Sequence, residues 1–334
     1  SVFMPKALKH ALHHKLYRQL LSGRILYRAL STRNLNEDTL VHVHFLNQAE
    51  AIAEMKSAGF LTTPIIATAH GFDVNVWPKQ YEKEDAFKFL KITRVPITCG
   101  SEFIKKKLVG FGIPEHRLFI IPLGVNPQFL ETPKIESDSE HDILRIVGIG
   151  RLSEEKGWEV LVHAVDRLRK DHPRLTLECI ILGEGPERGR LERVLRELEL
   201  EDVVSMPGPA STDEVIEQLD RATIYVQPSI VSESGAEEGQ GLAILEALSR
   251  ECAVIASSIG GIPESIKDME TGLLFQSGDS IQLSEKILFL FRNQESAQRM
   301  ASRGRSFVIS ERTQAIWFQK VKKVYESIRL ENKE

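Results

Sequence analysis

Cysteine is scarce in this chain. Cys99, Cys179 and Cys252 are the only three in 334 residues, odd in number and in no C-x-x-C spacing. That excludes a disulfide scaffold and points to reduced, partly buried thiols in a cytoplasmic setting. No apolar run approaches the ~20 residues that cross a bilayer, and no signal-peptide pattern opens the sequence. An excess of positive charge is also missing. Lys and Arg number 43 against 47 Asp and Glu, a net charge of −4, which argues against a general nucleic-acid binder. No D-x-D motif stands in a credible place, since Asp138-x-Glu140 falls in a polar stretch. His42 and His44 flank Val43 and share one face of a strand, yet no third ligand is evident, so no metal is expected. Two dinucleotide fingerprints stop short. Gly148-x-Gly150 meets Ser153 where the third glycine belongs, and Gly183-x-Gly185 meets Arg188. Both gaps weigh against a nicotinamide-dependent oxidoreductase.

Acidic residues are absent from positions 1–36. That stretch carries Lys6, Lys9, Lys15, Arg18, Arg24, Arg28 and Arg33, with Leu8, Leu12, Leu16 and Leu20 recurring every four residues. The pattern is an amphipathic basic helix or pair of helices. Two readings stand: a helix packed on the first domain with its polar face in water, or attachment to an anionic membrane surface.

What is present suits two domains, because the chain is too long for one typical core. Short apolar runs at 40–46, 64–69, 95–99 and 118–122 alternate with helical stretches at 48–58 and 101–109. Glu131 to Asp142 is acidic, polar and without periodicity, and reads as a linker. A second alternation follows, with strands at 145–150, 175–182, 203–206, 222–227 and 253–256. Its helices are expected near 154–170, 186–199, 212–220, 239–250 and 279–292. Strands alternating with helices predict α/β units with parallel sheets covered on both faces. The domains are expected at 1–130 and 143–310, with the linker at 131–142 and a closing helical segment at 311–334.

The densest chemistry lies at Glu238-Gly239-Gln240-Gly241, followed by Leu242 and Glu246. A strand, a glycine-rich turn and a helix start make an anion site, because free N–H groups and the positive helix end face the turn. Read as a helix from Glu238 on, the two carboxylates would stand about 12 Å apart along the axis. That span suits a ligand with hydroxyls on both sides of a phosphate. Arg151 and Lys156 leave the strand end at Gly150 five residues apart, where phosphate oxygens would sit.

The Glu238-to-Glu246 stretch resembles the E-x7-E signature of family 4 (group 1) retaining glycosyltransferases with the GT-B fold. Gly150-Arg151-Leu152 with Lys156-Gly157 is similar to that family's G-R-L-x-x-x-K-G turn. Gly183-Glu184-Gly185-Pro186, Gly260-Gly261-Ile262-Pro263-Glu264 and Thr271-Gly272-Leu273-Leu274-Phe275 resemble its later landmarks, in order. Thr68-Ala69-His70-Gly71 and Leu123-Gly124-Val125-Asn126 resemble marks of its first domain, and the likeness covers roughly residues 40 to 325.

The resemblance implies two Rossmann-like domains facing across a cleft, and a C-terminal helix crossing back to the first. It implies transfer of a sugar from a nucleotide diphosphate sugar, with no cofactor and no metal, to a glycan or lipid-linked acceptor. His70, Arg151, Lys156 and Glu238 take the catalytic places. Gly71, Gly150, Gly183, Met206, Pro207, Gly239, Gln240, Gly241, Leu242 and Glu246 take donor-binding ones. Glu237 competes with Glu238 for the register. The family's usual opening strand and glycine-rich loop have no counterpart in residues 1–39, where Gly23 is the only glycine, and the first residue is Ser1 rather than Met. The chain is therefore expected either to start inside the first domain or to carry a reduced one. Two other functions stay open beside the transferase: an inactive nucleotide-sugar-binding subunit and a sugar-nucleotide epimerase of the same fold.

Overall fold

The computed structural model describes residues 39–59, 61, 63–81, 85–134 and 143–331. The basic stretch 1–36 and most of the linker 131–142 lie outside the described residues. The chain forms two compact units. The first comprises the chain up to Cys99, Lys105–Phe119 and the chain from Lys322 on, and the second comprises Gly100–Ile104 and Ile120–Val321.

The first unit carries a sheet in the order β1-β2-β3-β4 (Val41–His44, Ile65–Ala69, Ile97–Cys99 and Leu118–Ile120). The strand β1 runs parallel to β2 with His44 opposite Thr68, and β2 runs parallel to β3. Every residue of β2 and β3 is buried, as a parallel strand covered on both faces requires. The apolar run 40–46 is cut short at His44. Phe45 takes φ 69°, and the helix Leu46–Ser57 begins at once.

In the second unit six strands run in the order β10-β9-β8-β5-β6-β7. They are β5 (Ile143–Ile149), β6 (Thr176–Leu182), β7 (Val204–Gly208), β8 (Ile224–Gln227), β9 (Ala253–Ser257) and β10 (Leu273–Phe275). Each pair whose register is given is parallel. Alternate residues feed opposite cores. Ile224, Val226, Ala253 and Ile255 join one cluster with Trp158, Leu161 and Ile287. Tyr225, Val254 and Ala256 join the other with Ile216, Leu245 and Val308. The helices Trp158–Asp171 and Ser280–Arg292 thus cover one face, and Thr212–Arg221, Leu242–Ser249 and Gln294–Glu311 the other. Caps fix several starts. Ser211 and Glu214 form a reciprocal capping box, and the Asp279 carboxylate accepts from the Gln282 N–H. The final helix, Gln314–Glu331, carries the chain from the second unit back into the first.

This strand order doubles back at β5 and β8. The first helical connection leaves toward β6 and β7, and the next leaves toward β9 and β10. A crevice opens at the carboxyl ends of strands at such a switch point, which is where open α/β sheets bind ligands. The loops that follow β5 and β8 hold Gly150–Lys156 and Pro228–Gly241.

Candidate functional site

After β5 the chain turns through Gly150, whose N–H donates to the Leu182 carbonyl at 2.9 Å, while the Gly183 N–H donates to Gly208 at 2.8 Å. These bonds extend the sheet past its strands and hold the two loop roots side by side. The Arg151 side chain is 67% exposed and pairs with Glu155 at 3.2 Å. Its carbonyl accepts from the buried Trp158 indole at 3.0 Å, which pins the backbone while leaving the guanidinium at the surface. A short 3-10 turn, Glu154–Lys156, then delivers Lys156.

Lys156 Nζ donates to Glu238 Oε2 at 2.6 Å, with side-chain exposures of 21% and 15%. Of the two neighbouring carboxylates, Glu238 is the one Lys156 meets. The other oxygen, Oε1, accepts from the Gly241 N–H at 3.2 Å. Glu238 therefore lies in the loop before the helix, which corrects the expectation of a helix running from it. Leu242–Ser249 starts four residues later, with Gly241 as a left-handed N-cap at φ 81°. That left-handed conformation favours glycine, which has no Cβ to strain it. Gly241 was expected to offer its N–H to a phosphate; here that N–H is committed to Glu238.

The backbone under Glu238 is pinned as well. Its carbonyl accepts from the Gly261 N–H at 3.0 Å, and Ser101 Oγ donates to the Gly239 carbonyl at 2.8 Å. At Gly260 (φ 56°) a Cβ would stand 2.1 Å from the Glu238 carbonyl oxygen, so only glycine permits this approach. Gln240 is buried and turned to the backbone. It accepts from Leu123 N–H at 2.9 Å and donates to the Leu123 carbonyl at 3.2 Å, so its amide clasps the loop. Leu242, by contrast, is 38% exposed.

Glu246 lies on the first turns of the helix and is half-buried; burial pushes its carboxyl up to about 7. Beneath it runs a polar ladder along β8. Tyr225 Oη donates to Gln227 Oε1 at 2.6 Å, and Gln227 Nε2 donates to Ser229 Oγ at 2.9 Å. Burial, then the Glu246 and Glu238 carboxylates, push the Tyr225 hydroxyl well above its ordinary value. The ladder was not anticipated, although Tyr225 and Gln227 are polar at period two in an otherwise apolar strand. Met206 and Pro207 stand apart. They lie in edge strand β7, two strands from the switch point, with the Met206 carbonyl accepting from Arg188 at 3.1 Å.

In the first unit, His70 follows β2 and Gly71 caps the short helix Phe72–Asn75. The His70 N–H donates to Asp73 Oδ1 at 3.0 Å, and Asp73 Oδ2 accepts from Leu46 N–H at 2.7 Å. One fully buried carboxylate thereby ties the ends of β1 and β2 together. Asp73 was missed, though a carboxylate three residues after a strand-end histidine is the signal that could have marked it. Burial, with His44 beside it, pushes the His70 imidazole down to about 4, so it is neutral near pH 7. Among the described residues no group of three His, Cys, Asp or Glu is arranged to hold a metal, and no helix is long and apolar enough to cross a membrane.

Comparison with known proteins agrees with this architecture. Residues 132–307 match the model of "Glycosyl transferases group 1", and residues 4–129 match that of "Glycosyltransferase Family 4". Among curated relatives, the amylovoran biosynthesis glycosyltransferase AmsK of Erwinia amylovora is 26% identical over 286 residues, covering 86% of this chain and 69% of its own length. The GDP-mannose-dependent alpha-(1-6)-phosphatidylinositol monomannoside mannosyltransferase of Mycobacterium tuberculosis is 24% identical, covering 74% of this chain and 65% of its own length. This chain thus spans about two thirds of those relatives. Anabaena HepE, solved with UDP, superposes with a TM-score of 0.75 at 15% identity, covering 91% of this chain and 82% of HepE. Two parallel sheets, a switch point in the strand order and a matching model over more than half the chain converge: the chain belongs to the group 1 glycosyl transferases and has the α/β GT-B fold.

Proposed function

We propose that this chain is a retaining glycosyltransferase that moves a hexose-type sugar from a nucleotide diphosphate sugar to a glycan or lipid-linked acceptor. The observation that carries the reading is the Lys156–Glu238 pair at 2.6 Å, set where the loops after β5 and β8 meet and ahead of a helix start. Breaking the anomeric C–O bond leaves charge on the β-phosphate. Catalysis then consists largely of stabilising that charge while the sugar becomes oxocarbenium-like. In this reading Lys156 transfers its hydrogen bond from Glu238 to a phosphate oxygen, and Arg151 swings its exposed fork to another. Glu238, freed of its partner, accepts from a donor-sugar hydroxyl. Glu246 accepts from the ribose hydroxyls, as acidic residues do in related dinucleotide folds. Gly150, Gly183, Gly239 and Leu242 line the donor at the strand ends and helix start, and His70 with Gly71 contacts the transferring sugar. Two cations and a helix end supply the positive charge, so the reading needs neither a metal nor a cofactor.

Support comes from the family, from the UDP held by HepE, and from the biosynthetic names of the relatives. An acceptor on a membrane lipid would fit the basic stretch 1–36 and a place on the cytoplasmic face. The test is a panel of nucleotide diphosphate sugars assayed for nucleotide release and transfer, with the product anomer read by NMR. Nucleotide release with retained configuration supports the reading. Donor binding without turnover would replace it with the binding-subunit reading, and interconversion of the donor sugar with the epimerase.

A further inference from the structure

Three histidine rings stand together at the carboxyl ends of β1 and β2, and the reaction outlined above uses only one of them. His42 is fully engaged. Its Nδ1 lies 2.6 Å from Tyr325 Oη, and its Nε2 lies 2.6 Å from Thr68 Oγ1. Thr68 Oγ1 is in turn 2.6 Å from Thr98 Oγ1, which donates to the Ala67 carbonyl at 3.4 Å. One proton arrangement satisfies this series throughout. Tyr325 donates to His42 Nδ1, the His42 Nε2–H donates to Thr68, and Thr68 donates to Thr98. It requires neutral His42, which agrees with burial, then His44 and His70, pushing His42 down to about 4.

His44 stacks on this fixed ring, centroids 4.7 Å apart and planes 17° off parallel. Its Nδ1 faces His70 Nε2 at 3.1 Å. A hydrogen bond between two ring nitrogens needs one N–H and one lone pair, and His70 is neutral, so what His44 Nδ1 presents fixes which nitrogen of His70 carries its proton. The remaining freedom of His70 is removed by its surroundings. The Phe45 ring packs on it at 4.5 Å, and Asp73 holds its backbone N–H. Phe45 holds that place with its backbone at φ 69°, a left-handed conformation unfavourable for a bulky residue. Among the described residues, His70 Nδ1 has no hydrogen-bond partner. The protonation of that nitrogen is the complement of whatever His44 imposes on Nε2.

We propose that His44 is a positioning residue that selects a single tautomer and orientation of His70, and thereby decides whether His70 Nδ1 donates or accepts. The catalytic consequence rests on the reading of His70 as a contact to the transferring sugar; the positioning itself does not. Around the pair, His42 stacks on His44 and is itself bonded to Tyr325, Phe45 packs on His70, and the Asp73 carboxylate holds the His70 backbone; among the described residues only His44 bonds the His70 ring.

The test uses the full chain with ¹⁵N-labelled histidine. Long-range proton–nitrogen spectra should show wild-type His70 as one tautomer. His44→Ala should give an exchange-averaged mixture, and His44→Asn, whose amide occupies the place of Nδ1, should restore one form. Thermal melts serve as the folding control, because His44 is exposed and its loss leaves no cavity. Turnover in His44→Ala should fall on the order of 10- to 100-fold with donor KM little changed, and His44→Asn should recover part of it. An unchanged His70 tautomer in His44→Ala overturns the proposal, as does failure of Asn to restore a single form. A mixed tautomer in His44→Ala, together with normal turnover in His70→Ala, upholds the positioning and refutes the sugar contact instead.

Discussion

Replacing Glu246 with Gln removes a carboxyl that burial pushes up to about 7 from an ordinary value of 4.5. Between those two values the unfolded chain is ionised at this position while the folded chain stays protonated. Stability therefore falls as pH rises, by about 1.4 kcal/mol per pH unit. The contribution is intact below 4.5 and lost above 7. For a fully desolvated group the loss would reach about 3 kcal/mol; solvent screening at a half-buried position brings it to about 2 kcal/mol. Glu246→Gln has no such dependence. Urea unfolding at stepped pH should thus find the two proteins equally stable at the acid end and the variant about 2 kcal/mol more stable at about pH 8. Donor affinity should move the other way. If the ionised form accepts the ribose bonds as proposed, wild-type affinity should rise through about pH 7, while Glu246→Gln should bind about 1–3 kcal/mol more weakly at alkaline pH and show no rise. A constant stability difference across the range would refute the buried-carboxyl argument. An equal loss toward donors with and without the ribose hydroxyls would refute the ribose contact.

Three further outcomes are expected. Arg151→Ala and Lys156→Ala should each lower turnover by about 10²-fold or more, the scale of losing one oxyanion stabiliser, and normal turnover with an unchanged melt would remove that role. Arg250→Met should cost about 3–5 kcal/mol in urea unfolding. It removes the guanidinium that pairs with the fully buried Asp220 carboxylate at 2.7 Å, and takes the donors from the Phe129, Thr132 and Pro133 carbonyls; a loss below about 1 kcal/mol would show that the site relaxes. The basic stretch should give salt-sensitive sedimentation with anionic vesicles, lost when Lys6, Lys9, Lys15 and Arg18 become Gln while donor binding persists. No binding at low salt would refute the membrane reading.

The alternation of strands and helices was legible because buried parallel strands are nearly continuous apolar runs, as in Ile224–Gln227 and Ala253–Ser257. What escaped reading had weak local signals. Leu273–Phe275 is three residues long and becomes a strand only by pairing with β9. The helix Gln294–Glu311 is polar and interrupted by Gly304. It is stabilised by docking Met300, Ala301 and Val308, with Gly304 closing onto Leu248. The early end of β1 depends on the strained Phe45, which no periodicity reveals. At the site, glycine-rich turns after apolar runs marked the loops correctly by position. The side-chain pairings were beyond one-dimensional reading, because Lys156 and Glu238 are 82 residues apart and His44 and His70 are 26. Gln240 shows the limit well: a polar residue inside a ligand-type turn, yet spent on the Leu123 backbone.

The central claim is sugar transfer with retention through Lys156 and its partner carboxylate. It is tested most directly by following uridine and guanosine diphosphate hexoses by NMR in the presence of glycan and lipid acceptors, with wild-type and Lys156→Ala chains side by side. The account predicts nucleotide diphosphate release by the wild type, a product with the donor's anomeric configuration, and a rate about 10²-fold lower in the variant. A product of inverted configuration, or equal rates from the two chains, would contradict it.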